Sequence, residues 1–212
     1  MRTRTLTTAL IAGALLLAGC SSPQPATTPS PTSPTETTGS SPSPTGTGSP
    51  AAESPASPVP TDLPAGPEFT APGTPATGNP SDGAALTVTD IRVGHQDGFD
   101  RVVFDLGGKG TPGWRVWYVD AATDDGSGNP VAVQGNAILQ VVISGTGIPA
   151  DTGQKEFAGS PVDVSGGTVQ QVVYRFVFEG YTTSFVGVDA QRPFRVFMLQ
   201  NPTRLVVDVQ KG

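Results

Sequence analysis

The segment GFDRVVFDL, residues Gly98–Leu106, decides the fold of this chain. Within it, every second position is apolar, at Val102, Phe104 and Leu106. This is the pattern of a strand with one apolar face. The segment RLVVDV, residues Arg204–Val209, repeats the spacing of an arginine, a valine and an aspartate at positions i, i+2 and i+4. The repeat predicts two matching strands, each with an apolar face opposite a charged one.

The charged residues of the two segments predict how the strands pair. Arg101 and Asp105 are about 13 Å apart within one strand, since each residue rises roughly 3.3 Å, so they cannot pair with each other. If the strands are antiparallel neighbours, Arg101 faces Asp208 and Asp105 faces Arg204. Each cross-strand pair of opposite charges contributes a few tenths to about 1 kcal/mol. We therefore expect two ion pairs wherever these strands are adjacent.

Short apolar and β-branched runs continue outward from this pair in both directions. Turn signals such as Asp97-Gly98 and Asn201-Pro202 separate them, a rhythm typical of a β-sandwich or barrel. The pattern indicates no amphipathic helix, and at most one helical turn within Ile148–Gly159. We predict an all-β fold, a small antiparallel β-sandwich. Its predicted strands are Leu86–Val93, Arg101–Leu106, Trp114–Val119, Val131–Val133, Ala137–Ser144, Gln171–Phe178, Thr183–Val188, Phe194–Leu199 and Arg204–Val209.

The first twenty residues have the pattern of an export signal. Arg2 and Arg4 precede an apolar run over residues 9–18, and small residues lead to Cys20. These features are typical of a secretory signal peptide. The run of about ten residues is too short for a transmembrane helix, which needs roughly 20. The sequence Leu17-Ala-Gly-Cys20 resembles the lipobox of bacterial lipoproteins, which implies cleavage after residue 19 and attachment of a diacylglyceryl group to the Cys20 sulfur.

Cys20 is the only cysteine of the 212 residues, so a disulfide framework within the chain is excluded. A lipoprotein carries at least two acyl chains, and two chains give stable anchoring. No apolar run elsewhere in the sequence is long enough to cross a bilayer either. We therefore expect it to be lipid-anchored at the extracytoplasmic face of the cell membrane.

The composition changes completely after Cys20. From Ser21 to Pro80 the chain has 16 Pro and 22 Ser or Thr, no Lys or Arg, and Phe69 as its only aromatic residue. Such a segment cannot bury enough apolar surface to offset the entropy of ordering. We predict a signal peptide at residues 1–19, a lipidated disordered linker at 20–80, and one folded domain at 81–212. That domain has 14 acidic and 10 basic residues without a basic cluster, which argues against nucleic acid as a partner.

Three segments carry a family resemblance. GFDRVVFDL at Gly98–Leu106, GYTTSFVGVD at Gly180–Asp189 and PFRVFMLQNPTRLVVDV at Pro193–Val209 resemble an AMIN-type domain, and more closely the AMIN-like domain of actinobacterial lipoproteins. The resemblance spans residues 85–211. It implies a small β-sandwich that serves as a non-catalytic module of the cell envelope, with peptidoglycan binding or targeting as its role. No amidase domain follows, although such domains accompany AMIN modules in cell-wall amidases.

Aromatic residues near turns are the candidate ligand contacts. Trp114 and Tyr118 share strand parity, whereas Trp117 points the other way, so one face of this strand exposes an aromatic side chain. Exposed aromatics with arginine suit glycan or protein contacts. Core packing is the competing interpretation for each. The candidate ligand-binding residues are Phe99, Arg101, Tyr118 and Tyr181, with Arg175, Arg192 and Arg195 as alternative contacts for muropeptide carboxylates.

Two polar segments could be considered for catalysis or metal binding, but the sequence of each is more typical of a turn. His95 is the only histidine, and His95-Gln-Asp97-Gly98 matches a hairpin turn between the first two strands. The stretch Asp124–Asn129 resembles a calcium loop, yet it lacks the frame and closing glutamate of an EF-hand. A glycine-rich hairpin tip is the favoured interpretation. We predict no metal, no cofactor and no catalytic residue.

The sequence leaves three classes of function to compare. The first is a non-catalytic cell-envelope module that binds peptidoglycan or an envelope protein. The second is a carrier or sensor of a small apolar ligand, which requires a closed cavity of several hundred cubic ångströms. The third is an enzyme, which is disfavoured because the chain has one histidine, no free cysteine beyond Cys20 and no nucleophile motif.

Overall fold

The computed structural model describes residues 66–212. The predicted signal peptide, Cys20 and the linker up to residue 65 lie outside the described residues. The described part is a sandwich of two antiparallel sheets. Its elements are β1 (Ala76–Gly78), β2 (Ala85–His95), β3 (Phe99–Lys109), β4 (Gly113–Val119), β5 (Ala137–Ser144), α1 (Pro149–Thr152), β6 (Val162–Asp163), β7 (Val169–Phe178), β8 (Tyr181–Val188), β9 (Phe194–Leu199) and β10 (Arg204–Gln210).

The two sheets differ in size and pack their apolar faces against each other. The six-stranded sheet has the order β1-β4-β5-β8-β7-β6, and the four-stranded sheet has the order β2-β3-β10-β9. Alternate residues point inward, as in Val102, Phe104 and Leu106 of β3. Leu139, Val141 and Ile143 of β5 meet them from the opposite sheet. The prediction of an antiparallel β-sandwich is confirmed.

The predicted pairing of the two charged segments is confirmed in its register. β3 and β10 are antiparallel neighbours, with Arg101 opposite Asp208 and Asp105 opposite Arg204. Arg101 does bind Asp208. The second predicted ion pair is wrong, because Asp105 instead accepts two hydrogen bonds from Arg92 on β2.

One predicted strand, Val131–Val133, is not formed. Residues 131–133 form no strand, although Val131 and Val133 pack against buried Val173 and Phe185 on the outer side of the six-stranded sheet. The Gln134 N–H bonds to the side chain of Gln171 rather than to a neighbouring strand. The apolar alternation therefore serves a second small core, not a strand.

The folded part begins before Ser81, where the sequence analysis placed its start. β1 pairs with β4 at Ala76–Gly78, and Thr70 exchanges two backbone hydrogen bonds with Phe194. The ring of Phe69 lies 6.3 Å from that of Phe99. Residues 66–80 are thus part of the sandwich, and the predicted linker boundary is wrong for them. Their proline content hides this because edge strands tolerate proline nearby.

The remaining elements agree with the predicted turns. The β2–β3 hairpin closes with a hydrogen bond from the Gln96 N–H to the Phe99 carbonyl, at His95–Gly98 as predicted. The short helix α1 of the described chain lies within the predicted range, residues 148–159. No helix among residues 66–212 is long and apolar enough to cross a membrane.

Candidate binding groove on the six-stranded sheet

A groove of about 720 Å³ runs along the outer edge of β7. On one side lies the segment Pro130–Gln134, and on the other lies Phe157–Pro161. Val173, Tyr174 and Phe176 of β7 line its length. We call this feature the β7-edge groove. It is open to solvent and is mostly apolar, which is the usual character of a ligand site.

The groove exists because β6 is very short. β6 pairs with β7 only at Val172 and Gln171. Beyond that point the hydroxyl of Ser160 accepts a hydrogen bond from the Tyr174 N–H at 2.9 Å and donates one to the Tyr174 carbonyl at 3.3 Å. In the described part of the chain, no strand pairs with the outer edge of β7 from Arg175 to Phe178.

Exposed aromatic rings gather where this edge is open. The exposed fractions are 67% for Phe176, 43% for Phe178 and 51% for Tyr181. The pairing of β7 with β8 is irregular between Tyr174 and Val177, so the side chains of this end leave the regular alternation. Large apolar side chains exposed together on one edge mark an interaction surface more often than isolated ones do.

The polar groups of the groove are paired with one another. The Arg175 guanidinium binds both carboxylate oxygens of Asp124, with Nη2 2.8 Å from Oδ2. Gln171 accepts from the Gln134 N–H and donates to Asp163. These contacts hold the walls of the groove in place and leave its apolar side chains free to contact a ligand.

Tyr174 and Glu156 form the deeper polar contact of the groove. The phenol of Tyr174 donates to Glu156 Oε1 at 2.8 Å. Burial, together with this hydrogen bond, raises the pKa of Tyr174 far above its usual value, so the phenol is a permanent donor. The Phe157 ring packs edge-on against the Tyr174 ring at 5.7 Å.

The four residues predicted as a ligand site do not come together. Phe99 and Arg101 lie on the outer face of the four-stranded sheet, where Arg101 is buried and bound to Asp208. Tyr118 is on the other sheet and packs into the core, with its ring edge-on to Phe194. Its hydroxyl donates to the Arg192 carbonyl and accepts from the Arg192 N–H. Tyr181 is exposed at the β7–β8 hairpin.

The alternative arginine contacts are also engaged within the protein. Arg175 binds Asp124, Arg192 binds Asp189, and Arg195 binds Asp208. The Arg192 guanidinium holds the pKa of Asp189 below its usual value. Trp117 does point away from the core as its parity predicts, and the Arg115 guanidinium lies 4.6 Å from the centre of its ring.

Sequence reasoning missed Phe157, Phe176 and Phe178 as candidate contacts. A usable signal was present, since Tyr174, Phe176 and Phe178 occupy alternate positions at the end of one predicted strand. The exposure of Phe176 and Phe178 depends on the short length of β6 and on the irregular pairing of β7 with β8, and neither is visible in a residue pattern.

The two polar segments are structural in the described chain. Asp124 and Asn129 close a hairpin tip through the Asp124 N–H and the Asn129 carbonyl, and Asp125 accepts from the Thr183 hydroxyl. His95 bonds to Asp100 and to the Ser165 carbonyl. Among residues 66–212, no three His, Cys, Asp or Glu side chains form a cluster that could hold a metal ion.

A second groove of about 890 Å³ is more polar and lies beside β2 and β3. Its floor is the ion pair of Arg92 and Asp105, whose Nη2 and Oδ2 atoms are 2.6 Å apart. The space between the sheets is filled by buried side chains such as Leu139, Val141 and Phe104. Both of these grooves are open to solvent.

The described part of the chain is thus a small two-sheet antiparallel sandwich with an open groove, lined partly by aromatic rings, at one sheet edge. Residues 86–211 match the model of the AMIN-like domain family, and the chain belongs to that family. Neither a curated protein nor a solved structure matches the chain significantly.

Proposed function

We propose that this protein is a non-catalytic binding module of the cell envelope, lipid-anchored at Cys20. The β7-edge groove is its binding surface, and its ligand is peptidoglycan or an envelope protein. The single observation that carries the proposal is the exposure of Phe176 in an open groove of about 720 Å³, with the exposed rings of Phe178 and Tyr181 at the hairpin that follows. Membership of the AMIN-like family supports an envelope role.

The filled core argues against the alternative of a carrier for a small apolar ligand. Such a carrier encloses its cargo in a cavity of several hundred cubic ångströms. Here Phe104, Leu139 and Val186 meet in the space between the sheets and are fully buried. The exposed groove is better suited to part of a larger ligand.

The polar residues of the groove support binding rather than catalysis. The carboxylate of Asp124 is neutralised by Arg175, and the phenol of Tyr174 remains protonated beside Glu156. A general base must be free to accept a proton near neutral pH. The groove offers rings and hydrogen-bond donors instead.

Site-specific crosslinking in cells tests the binding surface. A photo-reactive residue in place of Phe176 of the full chain is expected to form an adduct with peptidoglycan or an envelope protein. The same substitution at Ile148, which is 50% exposed and lies before α1, is the matched control. Adducts at position 176 that do not exceed those at position 148 would remove the groove from the proposal.

Membrane anchoring has a separate test. Metabolic labelling with a palmitate analogue is expected to mark the full chain and to place it in the membrane fraction. The Cys20→Ser variant should lose the label and leave that fraction. A variant that keeps both would overturn the lipid anchor but not the groove.

A further inference from the structure

The open edge of β7 offers backbone groups as well as rings. Tyr174 directs its N–H and its carbonyl toward this edge, where the Ser160 hydroxyl contacts both. A single hydroxyl here occupies the place that a residue of a neighbouring strand would take. From Arg175 to Phe178 the described chain supplies no strand on this side.

Proteins normally protect such an edge. Charged side chains, proline or a covering loop keep an exposed strand from pairing with another chain. β7 instead ends in Phe176, Val177 and Phe178, and its one charged residue there, Arg175, is bound to Asp124. In the described chain, the backbone of the edge therefore has no paired strand from Arg175 to Phe178.

The charges around the edge are mostly negative. Glu156 contacts Tyr174, Asp163 lies on β6, and Glu179 follows β7 directly. None of these three carboxylates forms a salt bridge within residues 66–212. Lys155, which precedes Glu156 in the sequence, is a basic residue near these carboxylates. A neutral or basic partner is favoured over an acidic one, and the same repulsion disfavours pairing of two copies of this chain.

We propose that the β7-edge groove binds an extended segment of another protein as an added β-strand. The segment pairs with the backbone of β7 near Arg175–Phe178, places alternate apolar side chains in the groove, and carries neutral or basic residues on its other face. Strand addition of this kind takes its affinity from main-chain hydrogen bonds and its specificity from pockets for alternate side chains. This inference rests on the proposed function and names the class of its partner.

A synthetic peptide provides the probe. It is an acetylated and amidated heptapeptide of alternating lysine and valine, titrated into the full chain. Within Arg175–Phe178, exchange of the N–H groups that face the open edge is expected to slow about tenfold or more, because added-strand pairing protects backbone N–H groups. The control peptide has the same side chains but methyl groups on alternate backbone nitrogens, and it should give no protection.

Two variants separate this surface from the rest of the molecule. Phe176→Lys places a charge on an exposed edge residue and is expected to weaken peptide binding about tenfold or more. Ile148→Lys makes the same change at an exposed apolar residue outside the groove and should leave binding unchanged. A peptide with glutamate in place of lysine should bind more weakly than the lysine peptide.

Each failure has its own signature. Equal binding of the methylated peptide overturns strand addition and leaves a groove that recognises side chains. A dimer of the full chain in sedimentation, lost in Phe176→Lys, overturns the proposal by making a second copy the partner. Absence of protection by the lysine peptide, with adducts retained at position 176 in cells, overturns strand addition alone. Loss of both overturns the proposed function as well.

Discussion

Arg101 and Asp208 form a closed ion pair on the outer face of the four-stranded sheet. Arg101 Nε lies 2.6 Å from Asp208 Oδ1, and Nη2 lies 2.8 Å from Oδ2. Arg195 donates a further hydrogen bond to Oδ2 at 2.8 Å. Phe99 and Phe197 flank the Arg101 guanidinium, with ring centres 5.1 and 5.5 Å away. Asp208 is fully buried, and its carboxylate is shared between the buried Arg101 and the partly exposed Arg195.

Replacing Asp208 by alanine should strongly destabilise the domain. The change leaves Arg101 buried without its counter-charge, a situation that typically costs about 3–5 kcal/mol. Urea unfolding of the full chain measures the loss. Asp97→Ala, in the exposed β2–β3 turn, is the control and should change the free energy of unfolding by less than about 0.5 kcal/mol. A cost below about 1 kcal/mol for Asp208→Ala would show that the buried pair is not required.

The start of the folded part gives a second prediction. A chain that begins at Ser81 lacks β1 and the Phe69 ring, which contacts Phe99 and lies 4.5 Å from the Arg195 guanidinium. We expect its thermal midpoint to fall by roughly 5 °C or more relative to a chain that begins at Gly66. Equal midpoints would show that residues 66–80 contribute nothing to stability. Calorimetry of both chains makes the comparison.

Much of the fold was predictable because strand patterns are local. Alternation located β3 and β10, and the arginine and aspartate spacing gave their register. The partner of Asp105 was not predictable, because Arg92 lies on β2 and only the three-strand assembly brings it close. Position within a sheet decides which of two neighbouring cations is nearer.

The candidate groove was not predictable for a related reason. Of the aromatic residues predicted as ligand contacts, Tyr181 is exposed, whereas Tyr118 is partly buried against the core. Phe176 lies in an apolar run of a predicted strand, where large apolar side chains are normally buried. Its exposure follows from the short length of β6. Because Val162 and Asp163 pair only with Val172 and Gln171, the rest of β7 has no neighbouring strand on that side.

Gly187 provides a prediction about the wall of the groove. A Cβ atom on this residue would lie 1.7 Å from the Gln134 carbonyl oxygen, so Gly187→Ala forces the Pro130–Gln134 segment away from the sheet. We expect a loss of about 1–3 kcal/mol in stability, the usual cost of overpacking. Gly73→Ala, where nothing lies within 4 Å, is the matched control and should be nearly neutral. Similar unfolding midpoints for the two variants in urea would contradict the close approach.

His95 should make the stability of the domain depend on pH. Its Nδ1 lies 2.8 Å from Asp100 Oδ1, and its Nε2 lies 3.0 Å from the Ser165 carbonyl oxygen. The hydrogen bond with Asp100, and then that with Ser165, raise the pKa of His95 above its usual 6.5. Both contacts favour the protonated ring, which can donate from both nitrogens.

The sign of the effect follows from the raised pKa. The stabilisation by protonated His95 is fully present below the unfolded-state pKa of about 6.5 and is lost as the pH rises through the higher folded-state value. The free energy of unfolding should therefore fall more steeply for the native chain than for His95→Gln as the pH rises above about 6.5. Urea unfolding of both chains at a series of pH values gives the difference curve. Parallel curves would contradict this prediction. They would mean that the contacts with Asp100 and with the Ser165 carbonyl do not favour the protonated ring over the neutral one.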